Sequence, residues 1–322
     1  MNCWPDRLRA MSLPLVFMRC STYHQVRSTK SISLQEIDRE SIMQPIVTLY
    51  EREVAPASTL PASLARLYGG GLLIPQHAEG KRPYVFANFV ETIDGIVSYN
   101  APGQNGGGVI SGDNKQDQMV MGILRAEADA VIFGSSSLHE DGGHIRIPSF
   151  IFPALAEEYA ALRTSLGKRE RLPISVIMTA SGRLDLREPT FHTPDLRVIV
   201  ATTARGYDYL MQQQVPTSTE VRIIENSQET VSPRETLRLL AHEYGVRMAL
   251  YEGGPTLLTS FLIEHVVDEL FLTLAPQLAG RNASMPRLSL VEGHAFQPQD
   301  APWATLLSVK QAGSHLLLRY KL

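Results

Sequence analysis

The chain has 322 residues, a formal net charge of −3 and 44% hydrophobic residues, enough to bury a substantial core in one large domain or two small ones. The near-neutral balance gives no electrostatic case for nucleic acid, and no apolar run of about 18 residues is present to span a membrane. Cysteine occurs only at Cys3 and Cys20, which removes a disulfide framework, a Cys-ligated zinc and a thiol nucleophile from the main body and suits a reducing cytoplasm.

Up to Leu34 the chain carries Arg7, Arg9, Arg19, Arg27 and Lys30 against Asp6 alone, with serines and threonines clustered from Ser28 to Ser33. Three readings fit residues 1–42: a start upstream of the true one near Met43, a disordered tail, or an Arg- and Ser-rich organelle transit peptide. Residues 43–81 read as a connecting segment with a short helix over 62–68, stopped by Gly69-Gly70-Gly71. From Arg82 the pattern becomes regular. A strand is expected over 84–90, a helix over 113–127 capped by Ser111 or Asp113, and a buried strand over 128–133 ending at Gly134. A helix follows over 153–166, then strands over 174–178, 198–200 and 221–224. A helix over 232–244 stops at Gly245, and a strand over 246–251 leads into a helix over 256–263. The chain closes with strands over 269–275, 304–310 and 315–320, the last two forming an antiparallel hairpin across Gln311-Ala312-Gly313. This alternation of strand and helix implies an α/β fold, a mostly parallel sheet covered on both faces and made mixed by the terminal hairpin.

The most informative stretch is Tyr251-Glu252-Gly253-Gly254-Pro255-Thr256, read as a strand end, a glycine turn and the first turn of a helix. The glycines let backbone approach a ligand, and free N–H groups at a helix start favour an anion such as phosphate. Pro255 fits that first turn, and Thr256 adds a hydroxyl. The residues alone describe a phosphate or pyrophosphate cradle with a carboxylate, Glu252, beside it. An ordinary strand-to-helix turn has the same pattern.

Other strand ends carry weaker signals. Glu91-Thr92-Ile93-Asp94-Gly95 is either a turn or a side chain reaching into a crevice at the carboxyl edge of a sheet. Gly134-Ser135-Ser136-Ser137 suits a phosphate or ribose contact, or a plain loop. Thr179-Ala180-Ser181-Gly182-Arg183 offers two hydroxyls and a guanidinium for a phosphate monoester such as the 2′-phosphate of NADP, or is a solvated turn. The glycine-rich stretch 103–108 lacks a Walker lysine and precedes Val109-Ile110 rather than a helix, so it reads as a mobile lid or hairpin loop. His139 to His144 matches no standard metal spacing. His77-Ala78-Glu79 lacks the Pro-Cys-x-x-Cys of a zinc deaminase, and no Gly-x-Ser-x-Gly elbow anchors a hydrolase triad.

Taken together, several segments resemble the reductase domain of riboflavin biosynthesis, which has a dihydrofolate-reductase-like fold. They are Arg82-Pro83-Tyr84-Val85 through Thr92-Ile93-Asp94-Gly95, the run from Leu124-Arg125 through Asp129 to Gly134, Glu252-Gly253-Gly254-Pro255-Thr256-Leu257, Val267-Asp268-Glu269-Leu270, and Ala275-Pro276-Gln277-Leu278-Ala279-Gly280. The likeness runs from Arg82 to the C-terminus. It implies an NADPH-dependent reduction of a phosphorylated ribosylamino-pyrimidine, such as 5-amino-6-(5-phosphoribosylamino)uracil, to the ribitylamino product, with hydride delivered to the sugar C1′. It also implies a homodimer; composition, charge and the lack of a long apolar run, not the resemblance, carry the expectation of a cytoplasmic protein without nucleic-acid or membrane partners.

Carried over residue by residue, the resemblance implies that Gly253, Gly254 and Thr256 form the cofactor phosphate turn. Glu252 and Asp94 become the catalytic acids, Glu252 near the reacting centre and Asp94 facing substrate. The backbone of Val90 is expected by the nicotinamide carboxamide, and Gly134, Ser135 and Ser137 beside the cofactor. Thr179, Ser181 and Arg183 would hold the adenosine 2′-phosphate. The sequence departs from the family where a Lys is replaced by Ile96, a loop Thr by Ser137, Asp-Asp-Pro by Glu140-Asp141-Gly142, and an Arg by Gln116. These changes fall on the substrate side, so a related reductase of a different small heterocycle, or a non-catalytic nucleotide binder, are the competing readings.

Overall fold

The computed structural model describes residues 43–52, 60–72, 74–75, 81–104, 106–140, 142–224 and 229–322, which lie in one compact unit spanning Ile42–Leu322. The expectations for 1–42, for His77-Ala78-Glu79 and for Asp141 fall outside the described residues. The strands are β1 (Val47–Glu51), β2 (Tyr84–Thr92), β3 (Ile96–Ser98), β4 (Ala130–Gly134), β5 (Ile174–Thr179), β6 (Val198–Thr202), β7 (Thr219–Ile223), β8 (Met248–Tyr251), β9 (Glu269–Ala275), β10 (Leu288–Ser289), β11 (Thr305–Ala312) and β12 (His315–Lys321). The α-helices are α1 (Ala62–Tyr68), α2 (Gly107–Ser111), α3 (Lys115–Glu127), α4 (Ser135–Glu140), α5 (Pro148–Ile151), α6 (Ala156–Ser165), α7 (Ala204–Met211), α8 (Pro233–Tyr244) and α9 (Pro255–Ile263).

Ten strands form one sheet in the order β1-β11-β12-β9-β2-β8-β4-β5-β6-β7, and β10 pairs with β3 in a separate small ribbon. From β9 through β7 every pairing is parallel; β1, β11, β12 and β9 pair antiparallel. The expected mixed, mostly parallel sheet with a terminal hairpin is therefore what the chain forms. The central strands are buried on both faces, which is why β5 and β8 read as continuous apolar runs. One face packs Leu64 of α1, Met119 and Ile123 of α3, and Tyr159 and Leu162 of α6. The other packs Leu237 and Leu240 of α8 and Leu258 and Phe261 of α9. Among the described residues, no helix is long and apolar enough to cross a membrane.

Several motif residues pin strands rather than line a site. Asp129 accepts from the backbone N–H of Arg247 and Met248, each at 2.9 Å, and so registers β8 against the start of β4. Asp268 takes Arg82 at 2.7 and 2.9 Å and the Val85 amide at 2.7 Å, fixing β2 beside β9.

The structure corrects four local expectations. The cap of α3 is Asn114, whose side chain accepts from the Asp117 amide at 3.0 Å, because Gly112 and Asp113 take positive φ values and end α2 instead. The glycine-rich stretch does lead into a helix: α2 lies so close to β2 that a Cβ on Gly107 would stand 3.0 Å from Val90 Cγ1. Serines 135–137 open α4 rather than a loop. The segment read as a connection supplies β1 to the sheet edge and Leu64 and Tyr68 of α1 to the core. Serines, glycines and isolated apolar residues carry weak local preference, and packing decided each of these.

Candidate active site

Because β2, β8, β4 and β5 run parallel, their carboxyl ends share one edge of the sheet, where ligands bind in open α/β folds. β8 ends opposite Ala87, whereas β2 continues to Thr92 against β9. The side of β2 from residue 88 to 92 that faces away from β9 pairs with no strand among the described residues. Val90 lies in that stretch, its side chain packed with Ile110 and Ala275.

The Gly253-Gly254 turn crosses the same edge. Gly253 has no room for a side chain: a Cβ there would stand 2.5 Å from Tyr251 Oη. The Tyr251 hydroxyl donates to the Gly254 carbonyl at 2.7 Å, and burial holds that phenol well above its usual pKa, so it stays a donor. Gly254 caps α9 with no side-chain hydrogen bond, unlike α3, α7 and α8, which Asn114, Thr203 and Ser232 cap. Gly254 thus offers no side-chain acceptor to the first N–H groups of α9, as an anion cradle requires. Ser137 Oγ lies 3.8 Å from the place a Gly254 Cβ would take, and Leu257 Cδ2 lies 3.5 Å from the Gly134 equivalent. The fold therefore brings Gly134, Ser137 and Gly254 together, with Ser135 half-buried at the start of α4 and Thr256 exposed.

Glu252 is the buried charge of the site. Its amide donates to the Ile132 carbonyl at 2.9 Å. Its carboxylate receives Arg125 Nε at 2.9 and 3.2 Å, with both side chains nearly excluded from solvent, at 2% for Arg125 and 7% for Glu252. Arg125 Nη1 donates to the Ile147 carbonyl at 3.3 Å and Nη2 to His144 Nε2 at 2.8 Å. Burial, with Arg125 and Arg146 beside it, pushes His144 down to about 3, so the imidazole is neutral and accepts. Arg146 lies 4.0 Å over the Phe133 ring and donates to the Ser137 carbonyl at 3.2 Å. A second buried acid, Asp117, accepts from the Thr273 hydroxyl at 2.6 Å, and burial raises its carboxyl.

Asp94 is placed differently from Glu252. It is exposed and accepts from Thr92 Oγ1 at 2.6 Å, the Ala279 amide at 3.0 Å and the Gly280 amide at 2.6 Å. The Thr92 hydroxyl and these amides lower it to about 2. It clasps the loop after β9 onto the end of β2. At the end of β5, Thr179 Oγ1 accepts from the Gly182 amide at 3.2 Å and Ser181 Oγ from the Arg183 amide at 3.3 Å. Those hydroxyls shape the turn, while the Arg183 guanidinium is exposed 5.9 Å from the Tyr209 ring centre. Thr179 also lines a cleft of about 350 Å³ with Ala180, Leu257, Ser260 and Glu264. The cleft lies between the end of β5, the start of α8 and the side of α9.

Sequence reasoning left Arg125, Arg146, Asp117 and His144 without roles. The signal that could have found Arg125 is a cation set directly after the mostly apolar run 119–124 of α3. His144 had no local signal, because its partner lies nineteen residues away.

The RibD C-terminal domain model matches residues 83–318. A 2,5-diamino-6-ribosylamino-4(3H)-pyrimidinone 5′-phosphate reductase of Archaeoglobus fulgidus is 27% identical over 217 residues, 67% of this chain and 89% of the relative. A riboflavin biosynthesis protein RibD of Aquifex aeolicus is 24% identical over 65% of this chain, which spans 51% of that longer relative. Among solved structures, a pyrimidine reductase-like protein from Corynebacterium diphtheriae shares the fold with a TM-score of 0.56 at 20% identity, over 74% of this chain and 91% of the other. RibD of Acinetobacter baumannii gives a TM-score of 0.55 at 21% identity, over 75% and 58%. The family match runs from the start of β2 into β12 and takes in the Glu252 turn; the chain belongs to the RibD C-terminal domain family and has its dihydrofolate-reductase-like fold.

Proposed function

We propose that the chain is an NADPH-dependent reductase of a phosphorylated ribosylamino-pyrimidine in riboflavin biosynthesis. The observation that carries this reading is the uncapped start of α9 at Gly253-Gly254, set directly beside the buried Glu252–Arg125 pair. The residues present fit a dinucleotide: side-chain-free backbone at the turn, an open strand edge at Val90, and a cleft running past Thr179. Gly253, Gly254 and Thr256 would hold the pyrophosphate, Gly134, Ser135 and Ser137 would flank it, and the Val90 backbone would take the carboxamide. Ser181 and Arg183 meet the 2′-phosphate. When bound, NADPH would supply the hydride for the sugar C1′; as the C1′–O4′ bond breaks, O4′ would take a proton from solvent, which balances the reduction. Glu252 then accepts a hydrogen bond from the substrate close to the reacting carbon and offsets positive charge there. Asp94 acts on the substrate side by holding the 279–280 loop in place. The active form is a homodimer in the cytoplasm.

The relatives leave two pyrimidines to compare. The Archaeoglobus relative is named for the diamino pyrimidinone, which favours that substrate as a second reading beside the deaminated uracil. The test follows NADPH absorbance with each pyrimidine and repeats it with NADH. Oxidation of NADPH with one of them supports the reading and identifies the pyrimidine. Tight NADPH binding without oxidation points to a reductase of another heterocycle, and absence of both overturns the proposal. Sedimentation showing a monomer at micromolar concentration rejects the homodimer.

A further inference from the structure

An arginine and a carboxylate usually meet through two parallel N–H···O bonds. The Arg125–Glu252 pair does not. Both carboxylate oxygens converge on the single Nε–H, at 2.9 and 3.2 Å. The Nη2 group, one of whose two N–H bonds would complete a side-on fork with Nε, donates to His144 Nε2 at 2.8 Å while Glu252 is bonded at Nε alone, and Nη1 is turned to the Ile147 carbonyl. The His144 ring is itself seated edge-on against Phe150, with ring centres 5.0 Å apart. Arg125 is almost wholly buried, so a released N–H would have little water to turn to. Glu252, already bonded to the adjoining Nε, is an acceptor it could turn to.

We propose that His144 is a positioning residue that keeps Glu252 from being captured in a two-point pair with Arg125. By accepting from Nη2, the imidazole leaves the carboxylate held at Nε alone, with a lone pair on each oxygen to spare. That capacity is what an N–H or O–H of the substrate engages. The inference rests on the reading of Glu252 as the acid beside the reacting carbon.

The test compares wild type with His144→Leu, which removes the acceptor, and His144→Gln, which restores one. Crystal structures of the full chain read the Arg125–Glu252 geometry. Steady-state kinetics read kcat and KM, and calorimetry reads NADPH binding. The expected result is a side-on two-point pair in His144→Leu, with kcat/KM for the pyrimidine lowered roughly 10- to 100-fold. NADPH affinity is expected to change by less than about threefold, because the turn shares no partner with His144. His144→Gln recovers most of the loss. If His144→Leu is insoluble, His144→Met fills the space without a strong acceptor and takes its place. The proposal is overturned if the acceptor-free variant keeps the one-point geometry and wild-type kcat/KM. It is equally overturned if His144→Gln is as impaired as His144→Leu, since the ring would then matter for packing alone. If wild type reduces neither pyrimidine, the functional reading fails while the crystallographic comparison still decides the role of His144.

Discussion

Replacing Gly253 with alanine places a Cβ 2.5 Å from Tyr251 Oη and 2.7 Å from its Cζ. The ring cannot retreat: it is fully buried, stacked 6.1 Å from Phe89 and packed 4.9 Å from Phe261. Overpacking of this kind costs about 1–3 kcal/mol. Displacing the ring also breaks the Tyr251–Gly254 hydrogen bond, worth about 1 kcal/mol. The sum, about 2–4 kcal/mol, lowers the urea midpoint by roughly 1 M for a slope of about 2–3 kcal/mol/M. Gly254→Ala is the control, because its Cβ meets only Ser137 Oγ at 3.8 Å. That substitution leaves stability within about 0.5 kcal/mol of wild type or slightly raises it. It puts a methyl group into the anion cradle, however, so NADPH affinity measured by fluorescence titration falls. A Gly253→Ala protein with an unchanged midpoint would refute the reasoning about Tyr251. A Gly254→Ala protein with unchanged NADPH affinity would refute the placement of the cofactor turn.

Glu252→Gln leaves the Arg125 cation buried without its anion, which costs about 3–5 kcal/mol; thermal unfolding should show the loss, and pyrimidine turnover should fall with it. Wild-type turnover from a Glu252→Gln protein would remove Glu252 from the chemistry. Gly182→Ala should be among the most damaging single changes, because its φ is +67° and a Cβ would stand 2.2 Å from the Gly206 carbonyl oxygen; a urea midpoint equal to wild type contradicts that contact. Asp94 has a folded pKa of about 2 against an ordinary 3.8, so its contribution is complete above about pH 4 and is lost as the pH falls through about 2. Hydrogen exchange at the Ala279 and Gly280 amides should therefore lose protection across that window in wild type. In Asp94→Asn the protection should be reduced at every pH; an identical pH dependence in the two proteins argues against the clasp.

Much of the fold was legible because its signals are local. Apolar runs bounded by glycine gave the central strands, Gly245 marked the stop of α8, and the glycine turn after Tyr251 announced itself in six residues. The resemblance also rested on short motifs, yet their physical roles could not be read from them. Asp129 and Asp268 turn out to pin strand register, which needs partners more than a hundred residues away. The same limit hid the use of Asp94, whose acceptors are filled by amides of a loop 185 and 186 residues downstream. It hid the site's charge balance as well: Glu252 was visible, but Arg125 and His144 join it only when α3, the segment before α5 and the end of β8 are folded together. Local chemistry determined where the chain turns and which residues could bind an anion. Tertiary packing alone decided which carboxylate is buried with a cation, which is spread over backbone amides, and which hydroxyls remain to meet a ligand, because hydrogen-bond partners and desolvation are set by residues distant in sequence.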